Sequence, residues 1–258
     1  WATTYLPESW TSTPLHPLLA CALFIVPGVP LINFVDDMLD NYIQVGLTRA
    51  INTFLMLVAM SFGIAFFLKI SEFDLTQFYS IPMIPHNSYF SYAAAISAMG
   101  FSMIFNIPRR LLWVVAVGGI IAVCTRNFVN LGPSNNNIGL DMSLAIGSLA
   151  GSALVSLIAV KAVHWVHAPN HVISIPSVIP MVPGVLMYRA LIGLIEMNGV
   201  VGELTNAMKF GINSGITILC IALGVFARRW VAKDRQRKLK QMIEERRQRG
   251  HFVDLSEL

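Results

Sequence analysis

Arg189 stands in a run, Ile175 to Ile195, that is otherwise apolar enough to cross a bilayer. A guanidinium in such a run is costly and needs a partner facing the interior of a helix bundle, so it marks a functional candidate by default. Its planar fork can donate two parallel hydrogen bonds to a carboxylate, which a lysine cannot imitate. Just upstream lie Pro180, Pro183 and Gly184. Each proline removes a backbone donor and crowds the preceding turn, while the glycine tolerates positive φ, so the segment is predicted to break there. A helix restarting at Gly184 would offer its N-terminal N–H groups to a carboxylate, with Tyr188 and Arg189 following closely. The opposing reading is structural: Arg189 pairs with Asp36 or Glu196, or reaches to the interface. Glu196, seven residues on and on the same helix face, is a further candidate as a protonatable coupling group, or a solvated residue at the rim.

A second copy of this pattern lies near the start of the chain. "VPGV" occurs at Val26 to Val29 and at Val182 to Val185, and "LTRA" at Leu47 to Ala50 is echoed by "LTNA" at Leu204 to Ala207, at offsets of 156 and 157 residues. Asn33 takes the place of Arg189, and "DDMLD" adds Asp36, Asp37 and Asp40. Pro27, Gly28 and Asn33 therefore join Pro183, Gly184, Tyr188 and Arg189 as expected substrate contacts, and Asp36 joins Glu196 as a proton-coupling candidate. Asp37 and Asp40 read as a solvated acidic turn.

The elements that must position these residues follow from composition. Of 258 residues 55% are apolar and 12% charged, with a mean hydropathy of +0.63, which places the chain among membrane proteins. Seven apolar segments approach the roughly 20 residues that span a bilayer: about 17–34, 47–68, 89–105, 111–128, 142–163, 175–195 and 204–226. The expected fold is all-α, with seven transmembrane helices, two of them broken at proline and glycine. The joint "FNIPRR" makes the third and fourth segments a hairpin, with Asn106 capping the start of the fourth.

Net charge is +4, but ten Lys/Arg and five Asp/Glu stand from Arg228 onward, against eight and nine in the 227 residues before it. The body offers no basic surface for nucleic acid. The basic tail, residues 229–258, reads as a cytoplasmic helix with Trp230 at the boundary, able to lie against anionic membrane lipid. Counting back through alternate crossings puts Arg49, Arg109, Arg110 and Lys161 on the same side as the tail.

Five crossings separate the two copies, so they enter the membrane from opposite sides, the inverted-topology arrangement of many secondary transporters. Residues 1–70 would hold the last two helices of a first transport repeat and residues 71–228 a complete five-helix second, which predicts a ten-helix parent. No signal-peptide pattern precedes the first apolar run.

Three other chemistries are weighed. Cys21, Cys124 and Cys220 lack paired spacing and read as small core residues. His164, His167 and His171 would share one helix face, but Pro169 interrupts that helix and no carboxylate follows, so no metal is expected. No nucleophile elbow, metalloprotease motif or phosphate loop occurs, and no cofactor or enzymatic reaction is implied.

"FIVPGVPLINFVDDML" with its following LT-x-A helix, "FNIPRR" and "IPSVIPMVPGVLMYRAL" together resemble the threonine/serine exporter family, over nearly everything from Pro27 to Phe226. "PMVPG-x-x-x-YR" is the most specific piece. The resemblance implies export of small amino acids driven by the proton motive force, across a bacterial inner membrane with the C-terminus cytoplasmic. Some relatives are similar to exporters of C4-dicarboxylates such as succinate. It also implies a second domain complete from about Tyr89 and a first domain lacking its early helices. A channel, or a subunit needing a partner or a second copy to supply the missing helices, stays open beside the exporter.

Overall fold

The computed structural model describes residues 26–70, 90–133, 138–166, 168–195 and 201–248, and among these there are eight α-helices and no strand. They are α1 (Gly28–Leu39), α2 (Ile43–Ile70), α3 (Phe90–Ile104), α4 (Leu112–Asn130), α5 (Leu144–Val166), α6 (Asn170–Val178), α7 (Gly184–Ile195) and α8 (Val201–Gln248). Four are long and apolar enough to cross a membrane, and α6 with α7 forms an apolar pair bent by 52°, a broken span or a re-entrant loop. α3, apolar over Ala93–Ile104, is shorter.

Two boundaries differ from those expected. Among the described residues the first apolar helix is the twelve-residue α1, which starts at Gly28 and runs on through Asp36 and Asp37 instead of stopping near Phe34. Pro27, with φ −74° and no side-chain cap, sets its start. At the other end α8 continues without interruption from the last apolar segment into the basic tail, 48 residues in all and about 72 Å at 1.5 Å per residue.

The α3–α4 joint is capped differently from the expectation. Asn106 has φ 54° and sits past the end of α3, where its own N–H bonds to the Met103 carbonyl and the Ile107 N–H to the Ser102 carbonyl. That is a Schellman closure with asparagine in the left-handed position. Asn106 ends α3 and does not cap α4; Pro108 precedes the short 3-10 turn Arg109–Leu111 that leads into α4. Asn41 (φ 68°) closes α1 in the same way, through the Met38 and Asp37 carbonyls. Asn106→Gly should leave thermal stability nearly unchanged, whereas Asn106→Val, forced into a left-handed conformation, should cost about 1–2 kcal/mol in thermal unfolding.

α1 and α2 form one hairpin and α7 and α8 another; α1 packs on α8, and α2 on α7. Behind them α5 packs along α8 and α4, and α3 packs on α4. Small residues permit these close approaches. A Cβ at Gly119 of α4 would lie 2.8 Å from Ala98 Cβ of α3, and one at Gly147 of α5 would lie 2.6 Å from the Arg126 carbonyl of α4. Buried hydroxyls are satisfied largely by backbone: Ser177 Oγ donates to the Ile173 carbonyl at 2.8 Å, and Ser156 Oγ donates to the Val225 carbonyl across to α8. Of the cysteines, Cys124 lies on an exposed face and Cys220 is half-buried, so Cys124 is not the core residue expected; Cys21 lies outside the described residues.

Candidate functional site

The two proline–glycine motifs adopt the same local geometry. The Gly28 N–H bonds to the Val26 carbonyl at 2.7 Å, and the Gly184 N–H to the Val182 carbonyl at 2.9 Å. One turn on, the Leu31 and Met187 N–H groups return to the Pro27 and Pro183 carbonyls at 3.1 and 3.2 Å. Both motifs thus open a helix at the glycine, because proline presets the preceding φ and lacks an N–H to misplace. They also meet in space. A Cβ at Gly28 would stand 3.6 Å from Val182 Cγ2 and 3.8 Å from Ile179 Cγ2, so the start of α1 rests on the bend between α6 and α7.

A cleft of about 620 Å³ opens between the two hairpins. Its wall from the first hairpin is Leu31, Phe34, Ala50, Phe54 and Leu57, and every one has its counterpart in the second: Met187, Ala190, Ala207, Gly211 and Ser214. The cleft lies where equivalent surfaces face each other. It is apolar, with Ser214 contributing a hydroxyl.

Arg189 does not face that cleft. Met187 and Leu191 line it, each two residues away, and at about 3.6 residues per turn Arg189 points to the far side of α7. There it is 6% exposed, with its guanidinium carbon 5.9 Å from the centroid of the Phe210 ring of α8, an arrangement that supports a cation. Tyr188, 1% exposed, points its hydroxyl to Met60 Sδ of α2 at 3.8 Å. Around it pack Val26, Leu31, Leu57, Met187, Ile192 and Ile218, in one apolar cluster that joins both hairpins.

The other expected residues are placed as follows. Pro27 is half-buried, and Gly28, Pro183 and Gly184 are buried. Asn33 is half-buried on α1, on the side away from the cleft as Arg189 is on α7, and no hydrogen bond joins it to Arg189 among the described residues. Asp36 is half-buried on α1, and Glu196 lies outside the described residues. Asp37 belongs to α1 and bonds Arg49 of α2 at 2.6 Å, so it is not part of a solvated turn; Asp40, just past α1, is exposed. The counterparts of that pair in the second hairpin are Gly193 and Asn206, which cannot form one. Because Arg49 and Asp37 are 39% and 22% exposed, Arg49→Gln should lower stability by no more than about 1 kcal/mol in thermal unfolding. His164 is in α5 and His171 in α6, separated by the break at Pro169, so the three histidines do not share one helix. Lys209 is exposed.

Two residues not singled out by the sequence flank Phe210. Asn213, which is exposed, and Thr217, 1% exposed, stand one and two turns further along α8 on the Phe210 side, and Thr217 donates to the Asn213 carbonyl at 2.7 Å. Their signal was the i, i+3, i+7 spacing from Phe210, which acquires meaning only once Arg189 is seen above that ring.

A model of the family described as threonine/serine exporter, ThrE, matches residues 91–231, and a second threonine/serine exporter model matches residues 2–71. An uncharacterised protein of Haemophilus influenzae is 25% identical over 105 residues, which cover 41% of this chain and 33% of that protein. The chain thus spans about one third of the length of this curated relative in the matched region. No solved structure matches the chain.

Proposed function

The chain belongs to the threonine/serine exporter family, and from that premise we propose that it exports threonine and serine across the bacterial inner membrane, driven by the proton motive force. Membership and the apolar helices make it a multi-pass membrane transporter. The observation that carries the finer reading is Arg189: a buried guanidinium over an aromatic ring, about 7.5 Å along α7 from the break at Gly184.

In this reading the substrate carboxylate takes the Arg189 fork, helped by the N-terminal dipole of α7. Asn213 and Thr217 are suited to the substrate hydroxyl, and Asn33 contributes from the first hairpin. The apolar cleft is not the seat of the zwitterion, since burying a charge there without partners is prohibitive. It provides room for the hairpins to shift against each other. The matched VPGV geometry and the crosswise packing of α1 on α8 and α2 on α7 support an inverted repeat, with residues 1–70 and 71–228 as its two parts. Proton coupling falls to Asp36 or Glu196, and the basic tail keeps the C-terminus cytoplasmic.

The test is counterflow in proteoliposomes holding the complete parent protein, with labelled threonine, serine and succinate and with the proton gradient imposed or collapsed. Threonine and serine should exchange, and net export should stop when a protonophore is added. Exchange of succinate alone would move the assignment to dicarboxylates, which need a second cation. Flux indifferent to the proton gradient would favour a channel.

A further inference from the structure

Away from the two hairpins, α4, α5 and α6 enclose a groove of about 150 Å³, floored by Gly118, Val155 and Ile173 and open to the outside of the bundle. Its two lips end in Trp113 of α4 and Trp165 of α5, which are 64% and 89% exposed. Both indoles therefore lie at one end of the bundle, where α4 begins and α5 finishes. Tryptophan gathers at the membrane interface, where its ring meets acyl chains and its N–H meets headgroups.

Cations stand beside both lips. Arg109 and Arg110 precede Trp113 by about one turn, and Lys161 precedes Trp165 by one turn on α5, beside the groove-lining Ala162. All three are exposed, and none forms an ion pair among the described residues. Their stems can run along the apolar lips while their charged ends reach a headgroup. An apolar channel between helices, ending in indoles and unneutralised cations, matches the parts of one molecule class: an acyl chain joined to a negatively charged headgroup.

We propose that this groove is a binding site for an anionic phospholipid, its acyl chain between Trp113 and Trp165 and its phosphate among Arg109, Arg110 and Lys161. The site is separate from the Arg189 face and does not depend on what the protein transports. It also differs from the basic tail, whose attraction for anionic lipid would be diffuse.

The full chain, with Trp1, Trp10 and Trp230 replaced by Phe so that only the groove indoles emit, is reconstituted with lipids brominated on their acyl chains. Brominated phosphatidylglycerol and brominated phosphatidylcholine are compared at equal mole fractions. The expected result is stronger quenching by the anionic lipid, corresponding to a relative binding constant of about fivefold or more. That preference should fall to about one in the Arg109→Gln, Arg110→Gln, Lys161→Gln variant, which keeps the tail intact. Equal quenching by the two lipids before any charge is removed overturns the proposal without reliance on a variant. Weak quenching by both would mean that protein, such as a second copy, covers the groove. Selectivity that survives the triple substitution assigns the effect to the tail and overturns it equally.

Discussion

Arg189→Lys should reduce threonine counterflow by roughly two orders of magnitude while leaving the protein folded, the scale of a lost bidentate, charge-assisted contact. The choice of lysine is what makes the experiment decisive. Arg189 is 6% exposed and sits above Phe210. Removing its charge would disturb the bundle whatever its role, so Arg189→Ala alone would not separate binding from folding. Lysine keeps the charge and the ring contact but loses the planar fork. If Arg189 serves only a structural carboxylate, the lysine variant should transport nearly as well as the native protein, and the proposed carboxylate site is then wrong. Thermal unfolding of both variants in detergent supplies the folding control. Asn213→Ala and Thr217→Val should instead weaken discrimination between serine and alanine, because they remove hydroxyl partners and leave the carboxylate fork in place.

Gly224→Leu should prevent correct assembly of the bundle, or lower its unfolding temperature by roughly 10 °C, the equivalent of about 3 kcal/mol of overpacking. A Cβ at Gly224 would lie 2.8 Å from the Ala153 nitrogen and 2.8 Å from the Leu149 carbonyl of α5, besides meeting the Ser152 hydroxyl. Two of those neighbours are backbone and cannot swing aside. α5 and α8 would have to separate, and with them the Ser156 bond to the Val225 carbonyl. Gly63 of α2 is the contrasting site, with nothing within 4 Å of its added Cβ. Gly63→Ala should be neutral or slightly stabilising, since alanine is the better helix former by about 1 kcal/mol. Unfolding curves of the two variants side by side check both expectations, and a stable Gly224→Leu protein would mean that α5 and α8 are not held at this distance.

The two helix starts at Gly28 and Gly184 were legible because proline and glycine act through their own backbone. The break at Pro183–Gly184 and the helix start at Pro27–Gly28 needed no knowledge of neighbours: a ring without an N–H followed by a residue without a Cβ starts a helix wherever it falls. Asn106 was harder. Asparagine serves at either end of a helix, and only the dihedral and the two closing bonds reveal that it ends α3. The place of Asp37 in "DDMLD" is hidden from the sequence for a related reason, since its partner Arg49 comes from the next helix.

The sequence by itself determined that this is a helical membrane protein of the exporter family, that its sixth apolar run bends before Gly184, and that one arginine sits where an arginine is costly. Those properties belong to single residues and short runs. Only the tertiary structure decided that the start of α1 at Gly28 rests on the bend at Val182, that Arg189 faces Phe210 and not the apolar cleft, that Cys124 points outward, and that Trp113 and Trp165 border one groove. The reason lies in the helices themselves. In a soluble protein an apolar stripe announces which face turns inward, but these helices are apolar nearly all round. Their rotations are set by where small residues let backbones approach, and that fit exists only between helices.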